Sequence, residues 1–163
     1  MRKSILLALA SVLAGCSPAA EEQQSETKAA SPATGMPTEG EWRRASLDGA
    51  AALLFGDGGE RPLAALRCDQ PLESLLIERI TAKPAAGVDS IKLRIDGRSH
   101  RLPIVWDGAS PPVASATVKL EDPLTDSISR VSGAFELEMK GERKLVLPAD
   151  RRIGTLIEEC RQI

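Results

Sequence analysis

Alternation with a period of two dominates the middle of the chain. Ile91, Leu93 and Ile95 fall on one side and Lys92, Arg94 and Asp96 on the other, the pattern of a half-buried strand. Asp96-Gly97 then supplies the residue types of a tight hairpin turn. Ala114, Ala116, Val118 and Leu120 alternate with Ser115, Thr117 and Lys119 in the same way. Phe135, Leu137 and Met139 alternate with Glu136, Glu138 and Lys140, and Leu145 and Leu147 follow beyond Gly141-Glu142. That pair of runs predicts a hairpin. Two shorter apolar runs, 63–68 and 75–80, flank the turn-prone Asp69-Gln70-Pro71 and also read as strands.

Two segments change period. Asp122 followed by Pro123 is a helix start, with a carboxylate cap and proline in the first turn, so a short helix is expected over 122–130. Near the end, Asp150 precedes Ile153, Leu156, Ile157 and Cys160. Their i, i+3, i+4, i+7 spacing places all four on one helical face that can dock on a sheet. The predicted fold is mainly β: an antiparallel β-sheet or sandwich of about seven to nine strands, with a short internal helix and a C-terminal helix.

The first residues follow neither period. Arg2 and Lys3 precede an apolar run over 5–13 that is broken only by small residues. A membrane-spanning helix needs about 20 apolar residues, so this run is too short to be one and reads as a secretory signal. It ends in Leu13-Ala14-Gly15-Cys16, which resembles the lipobox of bacterial lipoproteins. The resemblance implies cleavage before Cys16 and a diacylglyceryl thioether on its thiol. Two or three acyl chains hold a protein stably to a bilayer. Ser17 stands where aspartate favours retention at the inner membrane in many Gram-negative bacteria, so the outer membrane, periplasmic face, is the expected location. Residues 17–40 are rich in Pro, Ser, Ala, Glu, Gln and Thr, with Met36 as the one large apolar side chain. They are expected to form a tether spanning on the order of 25–30 Å. The predicted organisation is a signal peptide over 1–15, lipidated Cys16 and tether over 16–40, and one β-rich domain over 41–163.

Composition narrows the function classes. Lys and Arg number 21 against 23 Asp and Glu, for a net charge of −2, which argues against a partner held by phosphate neutralisation; no nucleic acid is expected. Trp42, Trp106, Phe55 and Phe135 are the only aromatics, and there is no tyrosine to build stacking platforms for bases or sugars. One histidine and three cysteines leave too few ligands for most zinc or iron–sulfur sites, and neither metal nor other cofactor is expected. With Cys16 taken by lipid, Cys68 and Cys160 form an even pair in an oxidising compartment, so a disulfide between them is expected. A redox-active pair and two free thiols are the alternatives.

Candidate catalytic chemistry is sparse. His100, between Arg98 and Arg101, reads as a solvated loop residue. Ser99 beside it would point to the opposite face of any strand. No Gly-x-Ser-x-Gly turn exposes a nucleophile. Gly56-Asp57-Gly58-Gly59-Glu60 lacks the Lys-Ser/Thr of a phosphate loop and reads as a turn. Glu158 and Glu159 are adjacent on the last helix and are expected to be solvated. No catalytic residue is assigned.

Trp42, Leu54-Phe55-Gly56, Leu66-Arg67-Cys68-Asp69, Asp122-Pro123-Leu124-Thr125-Asp126, Gly133-Ala134-Phe135, Leu145-Val146-Leu147-Pro148 and Arg152 through Glu159-Cys160-Arg161 together resemble a family of small alphaproteobacterial lipoproteins. A looser similarity exists to periplasmic accessory proteins of the type VI secretion apparatus. Neither resemblance implies an activity. The expected function is a lipid-anchored periplasmic binding or envelope-scaffold module without catalytic activity, its partners the membrane through the anchor and an envelope protein. The alternative is a tethered periplasmic hydrolase or hydrolase inhibitor, which requires His100 or a carboxylate inside a concave pocket.

Overall fold

A computed structural model describes residues 35–59, 61–82 and 86–162. Cys16, the predicted signal peptide and most of the predicted tether lie outside the described residues. Nine strands run in chain order as β1 (Glu41–Leu47), β2 (Ala50–Gly56), β3 (Ala64–Asp69), β4 (Ser74–Ile80), β5 (Ser90–Ile95), β6 (Arg98–Trp106), β7 (Val113–Lys119), β8 (Ala134–Glu138) and β9 (Leu145–Pro148). Helix α1 (Pro123–Ser129) follows β7, and α2 (Arg151–Arg161) follows β9. The strands form one antiparallel sheet in the order β1-β2-β3-β4-β7-β6-β5-β8-β9. The predicted class is therefore the observed one.

Local chemistry explains the turns. Asp48 and Gly49 join β1 to β2, and Asp96 and Gly97 join β5 to β6; all four have positive φ, between 47° and 82°. That geometry matches the right-handed twist of the flanking strands and suits Asp-Gly. Asp122 caps α1 by accepting from Leu124 N at 2.8 Å, and Asp150 caps α2 by accepting from Arg152 N at 2.8 Å, so both helices start where the sequence places them. A Cβ on Gly154 of α2 would lie 3.1 Å from Ser129 O. The glycine thus lets the two helices approach closely.

β6 decides the shape of the sheet. Its Arg98–Pro103 half pairs with β5, whereas Ile104, Val105 and Trp106 pair with β7. Ile104 N donates to Asp89 O at 3.0 Å. By antiparallel alternation, the main-chain groups of residue 103 then face β7, and proline has no N–H to give. Pairing with β7 stops there, and the sheet bends into a five-stranded half (β1-β2-β3-β4-β7) and a four-stranded half (β6-β5-β8-β9). The inner faces of the two halves form one core, with Phe55, Leu66, Ile77 and Ala116 on one side and Ile91, Leu93, Phe135 and Leu147 on the other. His100 lies within β6 opposite Leu93, half-buried. The expected solvated loop is corrected by the hairpin register, which carries β6 through this polar stretch.

The two ends of the curled sheet meet. Trp42 of β1 donates Nε1–H to Pro148 O of β9 at 2.9 Å. Its ring packs on Phe55 and Phe135 at centroid distances of 5.2 and 6.3 Å. Thr38 N donates to Val146 O at 2.8 Å, and Val146 N donates to Thr38 Oγ1 at 2.9 Å. The chain is thus already engaged at Thr38, inside the stretch read as tether, because β9 would otherwise present a bare edge. A chain starting at Glu41 is expected to lose about 1–3 kcal/mol relative to one starting at Gly35. Equal thermal midpoints for the two would show that Thr38 contributes nothing.

Helix α2 packs on β2, β3 and β4 through Ile153, Leu156, Ile157 and Cys160. A disulfide joins Cys68 to Cys160 across 92 residues, with Cα atoms 5.5 Å apart. Glu159, expected to be solvated, instead pairs with Arg44 of β1. At the last turn, Arg161 donates to Asp126 of α1 at 2.6 Å and to Leu120 O at 3.1 Å. The Arg161 hydrogen bond holds the Asp126 carboxyl below its usual value. A depressed carboxylate contributes fully above its unfolded value of about 4, and that contribution is lost as pH falls through the lower folded value. Acidification below about pH 4 is therefore expected to loosen the α1–α2 contact, read as faster amide exchange in the last turn of α2. Asp126→Asn should show that faster exchange already at neutral pH.

Candidate functional site

The bend gives the domain two outward faces of different chemistry. On the four-stranded half, Arg101, Lys92 and Glu138 lie side by side across β6, β5 and β8, with Ser99, Arg94, Glu136 and Val146 in the next row. This face is laced by ion pairs: Lys92–Glu138 at 3.0 Å, Arg101–Asp89 at 2.9 Å and Lys144–Glu136 at 3.2 Å. An open trough of about 700 Å³ runs along it. Most of its charges are paired in this way, the ordinary condition of a solvated surface.

The five-stranded half is different. Register places Arg43, Leu54, Ala65, Glu78 and Ser115 in one row from β1 to β7. Val105 of β6 extends the row beyond Ser115 and is 73% exposed. The next row holds Ala45, Ala52, Arg67, Leu76 and Thr117. Alanines at Ala52 and Ala65 keep the floor low, and both are buried. Loop residues Pro62 and Pro111 rise on either side. The result is a groove of about 390 Å³ walled by Leu54, Ile80, Val113 and the two prolines, with Arg61 at its border.

A carboxylate sits within it. Glu78 has a side chain only 6% exposed. Oε1 accepts from Arg67 Nε at 3.2 Å and Nη2 at 2.8 Å, and Ser115 Oγ donates to the same oxygen at 3.5 Å. Among the described residues, no donor meets Oε2. Arg67 Nη1 also lies 3.9 Å from Asp48 Oδ2, a carboxylate that is 94% exposed. A buried carboxylate normally uses both oxygens. Here Oε2 reaches solvent, and the buried side-chain polar atom without a partner among the described residues is Arg43 Nε, in the same row.

Glu78 is not marked as a site residue by any motif of the sequence. Its signal lies in the run 75–80, where Glu78 and Arg79 interrupt an otherwise apolar stretch. Neighbours on a strand face opposite ways, so one of the two has to turn inward. Arg79 does, at the end of the core. It donates to Leu63 O at 2.7 Å and Ile80 O at 3.0 Å. Burial pulls its guanidinium below the usual value, opposed in part by Glu142.

Of the residues singled out from the sequence, Cys68 and Cys160 come together, and Cys16 lies outside the described residues. His100 borders neither the groove nor the trough. Ser115 Oγ donates to Glu78 Oε1 at 3.5 Å, too long a contact to mark an activated nucleophile. Among the described residues, no group of three or more His, Cys, Asp or Glu side chains is placed to hold a metal ion, and no helix is long and apolar enough to cross a membrane. No family model, no curated protein and no solved structure matches this chain.

Proposed function

We propose that the protein is a lipid-anchored periplasmic binding module whose outer groove over β2, β3, β4 and β7 docks an envelope protein. The observation that carries this reading is the contrast between the two outward faces. One is laced by ion pairs, whereas the other presents an alanine floor between apolar walls. Groups of that kind gain by being covered, the arrangement of a binding surface. The anchoring half of the proposal rests on Leu13-Ala14-Gly15-Cys16, which resembles a lipobox. A tether after Cys16 would hold the domain near the outer membrane yet free to meet a partner.

A photoreactive residue in place of Leu54 is expected to yield a discrete crosslinked species in intact cells, and the same residue in place of Lys92 is not. Equal yields from both faces would overturn the docking site. Cys16→Ser should abolish metabolic labelling with palmitate and release the protein from membranes. Labelling that persists in this variant would remove the anchor from the account.

A further inference from the structure

We infer that the turn between β8 and β9 rests on anionic headgroups of the anchoring bilayer, through Lys140 and Arg143. The inference goes beyond the docking groove and rests on the lipid anchor proposed above. Charge is the first observation. On the four-stranded half, Lys92, Arg101 and Lys144 each meet a carboxylate. Glu142 of the turn lies 4.0 Å from Arg79, and Arg94 lies 4.0 Å from Glu136, the carboxylate that Lys144 also meets. Lys140 and Arg143 are exposed and have no ion pair among the described residues. Glu39, on the chain that enters beside β9, is balanced by Arg94, which has only a share of Glu136. The two cations of the turn are therefore in excess, and Glu142 N donating to Met139 O at 3.1 Å keeps them on one tight hairpin end.

Position is the second observation. A Cβ on Gly35 would lie 3.3 Å from Val146 Cγ2, and Thr38 is hydrogen-bonded to Val146 in both directions. The chain from Cys16 thus enters the domain two residues beyond Lys144, next to the turn. Residues 17–34 separate the lipobox cysteine from Gly35, so the turn can never leave the bilayer by more than about 65 Å. At the high local concentration this imposes, weak attraction suffices. Each Lys or Arg at an anionic surface gains roughly fivefold in occupancy. Met36, 91% exposed at the same entry point, adds an apolar side chain for the interface. The groove lies on the outward face of the other half of the sheet, so this orientation leaves it open to its partner.

The test reconstitutes the mature chain, purified from membranes, in vesicles of phosphatidylcholine alone or of phosphatidylcholine mixed with phosphatidylglycerol. Lysines are acetylated with a water-soluble reagent, and each site is followed by mass spectrometry. Lys119 is the internal control: the turn lies by Arg79, which pairs with Ala114 near the start of β7, and Lys119 ends that strand. Lys140 is expected to react about threefold more slowly, or slower still, when phosphatidylglycerol is present, and Lys119 equally in both. The difference should vanish in molar salt, where screening acts within about 3 Å. It should also vanish in Arg143→Glu, a change at an exposed side chain. Equal acetylation of Lys140 in the two vesicles, equal slowing of Lys119, or a difference that survives in Arg143→Glu would each overturn the inference. Lys140 protected relative to Lys119 to the same degree in both vesicles would assign the turn to the chain's own Glu21, Glu22 and Glu26 instead. A chain that floats with neither vesicle removes the anchor and this contact together. One that floats with both, with Lys140 unchanged, removes the contact alone.

Discussion

Cys160→Ala is expected to lower the stability of the domain by roughly 3–5 kcal/mol. The disulfide to Cys68 closes a 92-residue separation, and the chain-entropy model assigns a loop of that length between about 4 and 5 kcal/mol. The loss should not be spread evenly. Without the bridge, α2 is held by Ile153, Leu156 and Ile157, by Arg44 on Glu159, and by Arg161 on Asp126. Exposed ion pairs of this kind add little. Amide exchange in α2 should therefore accelerate well before that of β3 or β4. Denaturant unfolding of the variant checks the first part, and residue-resolved exchange the second. A loss below about 1 kcal/mol would mean that apolar packing alone docks the helix.

Trp42→Ala should cost about as much, on the order of 3–5 kcal/mol. Trp42 is fully buried, touches Phe55 and Phe135, and donates to Pro148 O. Its removal would open a large cavity where the two ends of the sheet meet and leave a carbonyl without its donor. Trp42→Phe keeps an aromatic ring but removes the donor and part of the indole, so it should cost less, roughly 1–3 kcal/mol. Exchange at Val146 should rise in Trp42→Ala, since β9 would lose its link to β1. Unchanged protection of β9 would show that Thr38 alone closes the sheet.

Much of the fold is legible in the chain. The period-two runs mark β5, β7 and β8, and Asp122 and Asp150 mark both helix starts, because each signal is local and has a local cause. The cysteine pair is legible by elimination once Cys16 is set aside. β1 and β2 are not read as strands, although Asp48-Gly49 carries the same turn chemistry as Asp96-Gly97. The run Ala50–Gly56 is apolar on both faces, so it shows no alternation to detect. The curling of the sheet is likewise invisible: it depends on which strand Pro103 faces, and only the register settles that. The groove escapes for the same reason. Leu54, Ala65, Glu78 and Ser115 are far apart in sequence, and three antiparallel pairings bring them into one row. Nothing in any one segment announces it.

The proposed docking site requires that the outer face of the five-stranded half be covered in the cell. Hydroxyl-radical footprinting of intact cells against the purified domain tests it most directly. Leu54, Ile80, Val113 and Val105 report on that face, and Leu72, which is 50% exposed and outside the groove, serves as the internal control. The four groove-side residues should be labelled less in cells than in the isolated domain, while Leu72 is labelled equally in both. Equal labelling of all five in both settings would contradict it.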